Sequence, residues 1–91
     1  MSQIKVAFSS SFKKALKQYL RKHPQKQLLI TNTIDLFISN PYHPSLETHK
    51  LKGQLTGYLS FSVEYDLRII FFFANSEEVV FINIGTHDEV Y

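Results

Sequence analysis

The chain has 91 residues, 44% of them hydrophobic, and a net charge of +2, so we predict a single domain with one core over residues 1–91. The absence of cysteine excludes disulfides, thiolate nucleophiles and cysteine metal sites, and it fits a reducing compartment. No apolar stretch approaches the ~20 residues of a membrane span and the polar amino terminus does not resemble a signal peptide, which predicts a cytoplasmic protein without membrane contact.

The first half of the chain predicts a strand followed by a helical hairpin. Gln3 to Phe8 alternates as a strand does, and Ser9 to Ser11 offers N-caps for a first helix. His23-Pro24 ends that helix, because the residue before a proline avoids helical geometry. A second helix is predicted from Gln25 to Ser39, followed by a loop from Asn40 to Glu47. The apolar residues of the first helix recur at helical spacing: Phe12, Ala15, Leu16, Tyr19 and Leu20.

The second half of the chain has the period of strands. A short strand is predicted over His49 to Lys52 and a turn over Gly53 to Gly57. Tyr58 to Glu64 alternates and predicts a strand with one wetter face, whereas the nearly all-apolar Arg68 to Phe73 predicts a central strand covered on both faces. Val79 to Ile84 is the last predicted strand. Together these elements predict an α+β fold with the helices packed on one sheet.

The charges are unevenly distributed along the chain. Residues 1–34 carry seven lysines and arginines and no acidic residue. Residues 35–91 carry three lysines and arginines and eight acidic residues. A basic half of this kind suits a polyanion such as nucleic acid, or an acidic protein partner. Charge alone favours the simpler interpretation, a lysine-rich helix face in contact with solvent.

The segment from Gly85 to Tyr91 follows the last strand and contains a histidine, two carboxylates and a tyrosine. Histidine exchanges protons near neutral pH, so an imidazole beside a buried strand suits acid–base chemistry. For His87 taken alone, a surface or hydrogen-bonded structural histidine is the favoured interpretation.

Three stretches together carry a family resemblance: His49-Lys50-Leu51-Lys52-Gly53 with Gly57-Tyr58, Asp66 to Phe71, and Ile84 to Tyr91. In their order and spacing the chain resembles the RelE/ParE superfamily of type II toxins. The resemblance is closest to the RelE-like branch of messenger-RNA interferases with histidine-containing, YafQ- and HigB-like members. It implies the RelE-like fold, in which an N-terminal strand and helical hairpin pack on a small, mostly antiparallel sheet.

The resemblance also implies an activity. The family's nucleases cleave messenger RNA in the ribosomal A site by attack of the RNA's own 2′-hydroxyl, which needs a base, cations for the phosphorane and an acid. It implies a metal-independent enzyme without a cofactor, neutralised by a cognate antitoxin. Operator DNA would be bound only through that antitoxin.

By the same resemblance, four residues are expected to be catalytic. Arg68 matches the arginine that grips the scissile phosphate, for which a planar, permanently charged fork is suited. His87 matches the proposed general acid and His49 the proposed general base. Asp66 matches an aspartate of the histidine-rich members, where an orienting role is favoured over proton transfer. Arg68 has a structural alternative, an ion pair with Asp66 or Glu64.

Three further residues are expected to bind the RNA: Lys50, Lys52 and Tyr91, of which the tyrosine would stack on a nucleotide or orient it. Histidine-rich relatives carry another histidine where this chain has Ser62, so the division between acid and base stays open. A zinc site of His43 with the two candidate catalytic histidines is disfavoured, because no spacing matches the usual ligand pairs. A gyrase-inhibiting toxin of the ParE branch and a catalytically degenerate antitoxin-binding module remain the alternative functions.

Overall fold

A helical hairpin packs on one face of a five-stranded sheet, which confirms the α+β prediction. The computed structural model describes residues 4–91. Its strands and helices follow one another as β1 (Lys5–Phe8), α1 (Ser10–Lys22), α2 (Gln27–Ser39), β2 (His49–Lys50), β3 (Leu59–Glu64), β4 (Leu67–Asn75), β5 (Glu78–Gly85) and α3 (His87–Val90). Short 3-10 turns occupy Pro24–Lys26, Pro44–Leu46 and Gly53–Leu55. Within the described residues, no helix is long and apolar enough to cross a membrane.

The strand order in the sheet is β1-β5-β4-β3-β2. β1 runs parallel to β5, and every other pair of neighbours is antiparallel, so the prediction of a mostly antiparallel sheet is confirmed. The first strand begins at Lys5; Gln3, where we predicted its start, lies outside the described residues. β4 is the central strand of the sheet.

The helical hairpin begins with a capped helix. The Ser9 hydroxyl accepts a hydrogen bond from the backbone N–H of Phe12 at 3.1 Å, as the predicted N-cap requires. α1 ends two residues before Pro24, in agreement with the restriction that a proline imposes on its predecessor. Pro24 then begins a 3-10 turn, so α2 starts at Gln27 and the predicted start at Gln25 is wrong by two residues.

Phenylalanine rings fill the space between the hairpin and the sheet. Phe37 of α2 lies 4.4 Å from Phe61, 4.9 Å from Phe71 and 5.5 Å from Phe81, measured between ring centroids. All four side chains are completely buried, which contributes roughly 1.5–3 kcal/mol each. Because side chains alternate along a strand, this cluster decides which face of β3, β4 and β5 points towards the helices.

The central strand β4 is covered on both faces only over its first half. Ile70, on the face away from the hairpin, is 1% exposed. Phe72 and Phe73 further along are only half-buried, so the prediction of a fully covered strand is wrong there. On the face away from the hairpin, where Phe72 lies, the terminal helix α3 packs against β4, and Gly85 just before α3 pairs with Arg68 at the beginning of the strand. Phe73 lies on the hairpin face and packs partly buried against the core.

An ion pair joins the linker between α1 and α2 to the end of β3. The Lys26 ammonium donates hydrogen bonds to both carboxylate oxygens of Glu64, at 2.7 and 3.0 Å. The bond to Glu64 raises the pKa of Lys26 above its ordinary value. The pKa of Tyr19 on α1 is also raised, first because the phenol is partly buried and second because of the Glu64 carboxylate.

We expect the free energy of unfolding to fall as pH rises above about 10, the ordinary pKa of both groups. Because both folded-state pKa values are raised, this stabilisation is complete below the ordinary values and is lost as pH rises through the raised ones. Glu64→Gln should therefore make the loss shallower in urea unfolding between about pH 8 and about pH 11. Glu77→Gln removes an exposed carboxylate without an ion pair in residues 4–91 and is the matched control. If the free energy of unfolding fell equally steeply with pH in Glu64→Gln and Glu77→Gln, the raised pKa values could not be assigned to Glu64.

Candidate active site

His49 and His87, which lie far apart in the sequence, line the same cleft. The cleft has a volume of about 470 Å³ and separates the segment after β2 from α3. Lys52 and Gln54 form part of one wall, and Tyr91 forms part of the other. Four of the predicted site residues, the two histidines with Lys52 and Tyr91, are thus brought together.

The candidate site lies on the sheet face that points away from the helical hairpin. Directly paired residues of neighbouring strands share a face, and His49 is paired with Ser60, which is paired in turn with Ile70. Arg68 precedes Ile70 by two residues on β4 and belongs to the same face, opposite Gly85 of β5. Arg68 therefore lies beside the cleft, although it does not form part of its wall.

Lys50 is the predicted substrate-binding residue that the structure does not bring to the cleft. It is paired with Leu59, whose position on β3 belongs to the face that packs on the hairpin. Neighbouring residues of a strand point to opposite faces, so Lys50 and His49 do not share one. The prediction placed both residues at one site because it followed the family resemblance of the stretch and not the alternation of side chains along the strand.

Arg68 has an unsatisfied hydrogen-bond donor. Its Nε atom is buried and finds no partner within residues 4–91. The alternative interpretation as an ion pair with Asp66 or Glu64 is wrong for this part of the chain, because Glu64 is bound by Lys26 and Asp66 accepts from the backbone of His87. A buried guanidinium N–H without a partner is costly, so it favours an external ligand such as a phosphate oxygen.

The His49 imidazole is exposed, and one of its nitrogens is fixed. Nδ1 lies 2.8 Å from the carbonyl oxygen of Glu47. Since a carbonyl can only accept, Nδ1 carries the hydrogen and the neutral ring keeps its lone pair on Nε2. The ring is thus held in the tautomer in which Nε2 can take up a proton.

His87 is the first residue of α3, a four-residue helix that we did not predict. A capping box starts this helix: Thr86 caps it, and the Thr86 N–H donates to the Glu89 carboxylate at 2.8 Å. The backbone N–H of His87 donates to Asp66 Oδ1 at 3.2 Å. Gly85 permits the tight approach, because a Cβ there would lie 3.0 Å from Glu89 Oε1. The Thr-x-x-Glu spacing was the sequence signal for this helix.

The wetter face predicted for β3 is in fact covered. Ser60 is 0% exposed and Ser62 is 6% exposed, and the last residue of the chain contacts Ser60. The Tyr91 phenol donates to Ser60 Oγ at 2.7 Å, and its ring meets the His87 ring edge-on at 4.5 Å between centroids. Ser60 thus holds Tyr91 against His87, a contact that no sequence pattern indicated. Ser62 instead donates to the backbone carbonyl of Glu64 at 2.8 Å.

We expect Tyr91→Phe to lower the free energy of unfolding by about 1–3 kcal/mol, because the buried Ser60 hydroxyl then loses its partner. The double variant with Ser60→Ala should lose less than the sum of the two single losses, since no polar group is left unpaired. Urea unfolding of the four proteins gives this coupling directly. Tyr65→Phe, at a tyrosine that is 96% exposed, serves as control and should change little. If the double variant lost the full sum of the two single losses in free energy of unfolding, the hydrogen bond between Tyr91 and Ser60 would be contradicted.

Within residues 4–91, no three His, Cys, Asp or Glu side chains are grouped so that they could hold a metal ion. His43, the third histidine of the disfavoured zinc alternative, caps the turn Pro44–Leu46 by accepting from the backbone N–H of Ser45 at 3.1 Å. Its Nδ1 atom is therefore engaged in the loop.

The strand, helical hairpin and carboxy-terminal sheet, with the histidine cleft on the open face, form the architecture predicted for toxins of the RelE/ParE superfamily. Residues 4–91 match the family described as "Bacterial toxin of type II toxin-antitoxin system, YafQ". The chain therefore belongs to the YafQ family of toxins. No curated protein matches the sequence.

Solved structures share the fold. YafQ from E. coli strain BL21(DE3) is 23% identical, with a TM-score of 0.80 over 98% of this chain and 99% of that chain. The E. coli DinJ–YafQ toxin–antitoxin complex gives 23% identity and a TM-score of 0.78, with 98% of each chain covered. A YoeB/ParE toxin from Agrobacterium tumefaciens is 19% identical, with a TM-score of 0.74 over 92% of this chain and 99% of that one.

Proposed function

We propose that the protein is a ribosome-dependent endoribonuclease that cleaves messenger RNA in the ribosomal A site. The observation that carries this proposal is the cleft shared by His49 and His87, because two imidazoles can supply a proton acceptor and a proton donor near neutral pH. Membership in a toxin family and the unpartnered donor of Arg68 beside the cleft support it.

His49 is the proposed general base. Its Nε2 atom takes the proton of a ribose 2′-hydroxyl, whose oxygen then attacks the adjacent phosphorus. The P–O bond to the 5′ oxygen of the next nucleotide breaks, which leaves a 2′,3′-cyclic phosphate and a free 5′-hydroxyl. Asp66, the other candidate base, already accepts the backbone N–H of His87 and is better suited to hold α3 in place.

His87 is the proposed general acid, which delivers a proton to the leaving 5′ oxygen. Arg68 binds the non-bridging phosphate oxygens, whose negative charge grows in the phosphorane. Lys52 and Tyr91, at the cleft, contact the RNA backbone and a nucleotide. Proton transfer and charge stabilisation are thus provided by side chains, and the proposed reaction uses no metal ion.

A cognate antitoxin is the proposed protein partner. α1 presents five exposed cations, and an acidic or amphipathic antitoxin segment would neutralise this surface; operator DNA would be reached only through that antitoxin. The related E. coli toxin is found in a complex with DinJ, which supports such a partner here. The cations of α1 are Lys13, Lys14, Lys17, Arg21 and Lys22.

The cytoplasm, where ribosomes translate, is the proposed location.

The test is cleavage of a defined messenger RNA in a purified translation system, with and without ribosomes, followed by mapping of the 5′ ends. The proposal expects cuts in register with codons that disappear without ribosomes and on addition of the cognate antitoxin. If the protein arrests growth without such cuts and inhibits DNA supercoiling by gyrase, the nuclease proposal is wrong and the ParE-like function takes its place. Neither cuts nor growth arrest would leave a degenerate antitoxin-binding module.

A further inference from the structure

Glu47 is the single non-glycine residue within residues 4–91 that has a positive φ angle. Its φ of 50° and ψ of 40° place it in the left-handed region, which side chains other than asparagine, aspartate and histidine seldom adopt. Its side chain is exposed and makes neither a hydrogen bond nor an ion pair in the described part of the chain. The left-handed conformation therefore affects the path of the backbone and makes no contact for the glutamate side chain.

The surrounding loop holds Glu47 in this conformation. Leu46, 1% exposed, anchors the preceding 3-10 turn in the core, and the Glu47 N–H donates to the Pro44 carbonyl at 3.2 Å. On the other side, the Thr48 hydroxyl donates to the carbonyl of Pro41 at 2.5 Å. Unfavourable backbone conformations of this kind persist where neighbouring contacts fix them, and they concentrate at functional sites.

The left-handed conformation of Glu47 determines the position of one carbonyl oxygen. The Glu47 carbonyl lies 2.8 Å from Nδ1 of His49, two residues further on and at the start of β2. We infer that Glu47 is a positioning residue: its left-handed backbone presents the carbonyl that fixes the neutral His49 ring in the Nδ1–H tautomer, with the lone pair on Nε2. The catalytic role of the free Nε2 atom rests on the proposed nuclease function. The assignment of the tautomer does not depend on that function.

The tautomer is measurable in the free protein by long-range ¹H–¹⁵N correlation of the imidazole rings at a pH where they are neutral. His43 is an internal comparison, because its Nδ1 accepts from the backbone N–H of Ser45 and it must therefore carry its proton on Nε2. We expect opposite tautomers for His43 and His49 in one spectrum of the wild type. An Nε2–H tautomer at His49 would overturn the inference, whatever any variant shows.

Substitutions at Glu47 change the backbone preference without removing a side-chain contact. Glu47→Gly and Glu47→Asn tolerate the left-handed region and should keep the wild-type tautomer and cleavage rate. Glu47→Val disfavours that region, so His49 should lose the Nδ1–H tautomer. At unchanged KM, kcat should then fall by up to roughly 10²–10⁴-fold, the usual contribution of a general base. Glu47→Gln controls for the lost charge.

The outcomes separate this inference from the proposed function. Full activity and an unchanged tautomer in a folded Glu47→Val variant would overturn the positioning role. Loss of activity in Glu47→Gln as well as Glu47→Val would assign the effect to the carboxylate and overturn it too. If the wild type cleaves no RNA, the proposed function fails, while the wild-type spectrum still decides whether the Glu47 carbonyl fixes His49.

Discussion

Replacing His87 by glutamine is expected to slow messenger-RNA cleavage by roughly 10²–10⁴-fold, the usual contribution of a general acid or base. Glutamine is neutral and cannot deliver a proton to the leaving 5′ oxygen. The His87 side chain is 61% exposed, and the bond to Asp66 comes from its backbone N–H, which glutamine retains. The free energy of unfolding is therefore expected to fall by no more than about 0.5–1.5 kcal/mol, the contribution of the edge-on contact with the Tyr91 ring.

The measurement is the single-turnover cleavage rate on programmed ribosomes as a function of pH. The wild-type rate should rise and then fall around neutrality, because the base must be neutral and the acid protonated. In His87→Gln the fall at higher pH should disappear along with most of the rate. His23→Gln is the matched control, since the His23 ring packs against the Tyr19 ring, 4.6 Å away between centroids, outside this cleft. A His87→Gln variant as fast as wild type would remove the general acid from the proposal.

The fold was predictable wherever a periodic pattern was long enough. Helical spacing in the first helix and alternation in Tyr58 to Glu64 gave elements that the structure confirms to within about two residues. The terminal helix α3 was missed because its four residues, His87–Val90, are too few to show a period. Its capping box, Thr86 with Glu89, was the sequence signal that we did not use.

The site was predictable only in part, because strand pairing decides which side chains meet. His49 and His87 were expected together through the family resemblance, and they do line one cleft. Lys50 points elsewhere because one residue along a strand changes the face. The contact of Tyr91 with Ser60 depends on how α3 folds back over the sheet, and no local pattern encodes such a contact.

Replacing Arg68 by methionine is expected to lower the cleavage rate by about 10²–10³-fold, as loss of a donor to a developing oxyanion does elsewhere. Arg68→Lys should recover part of the rate, because lysine keeps the charge but not the forked geometry that binds two phosphate oxygens. Arg21→Met removes an exposed arginine from α1 and controls for general loss of positive charge. The rate is measured on programmed ribosomes at saturating toxin concentration.

Stability separates a phosphate-binding arginine from a structural one. Because Nε of Arg68 is buried without a partner in residues 4–91, Arg68→Met should leave the free energy of unfolding unchanged or raise it by up to about 1–3 kcal/mol. A structural arginine would show the opposite pattern, a loss of stability with cleavage retained, and that result in urea unfolding would refute the assignment. A variant that folds more stably but no longer cleaves would show that the unpaired donor is kept for the substrate and not for the fold.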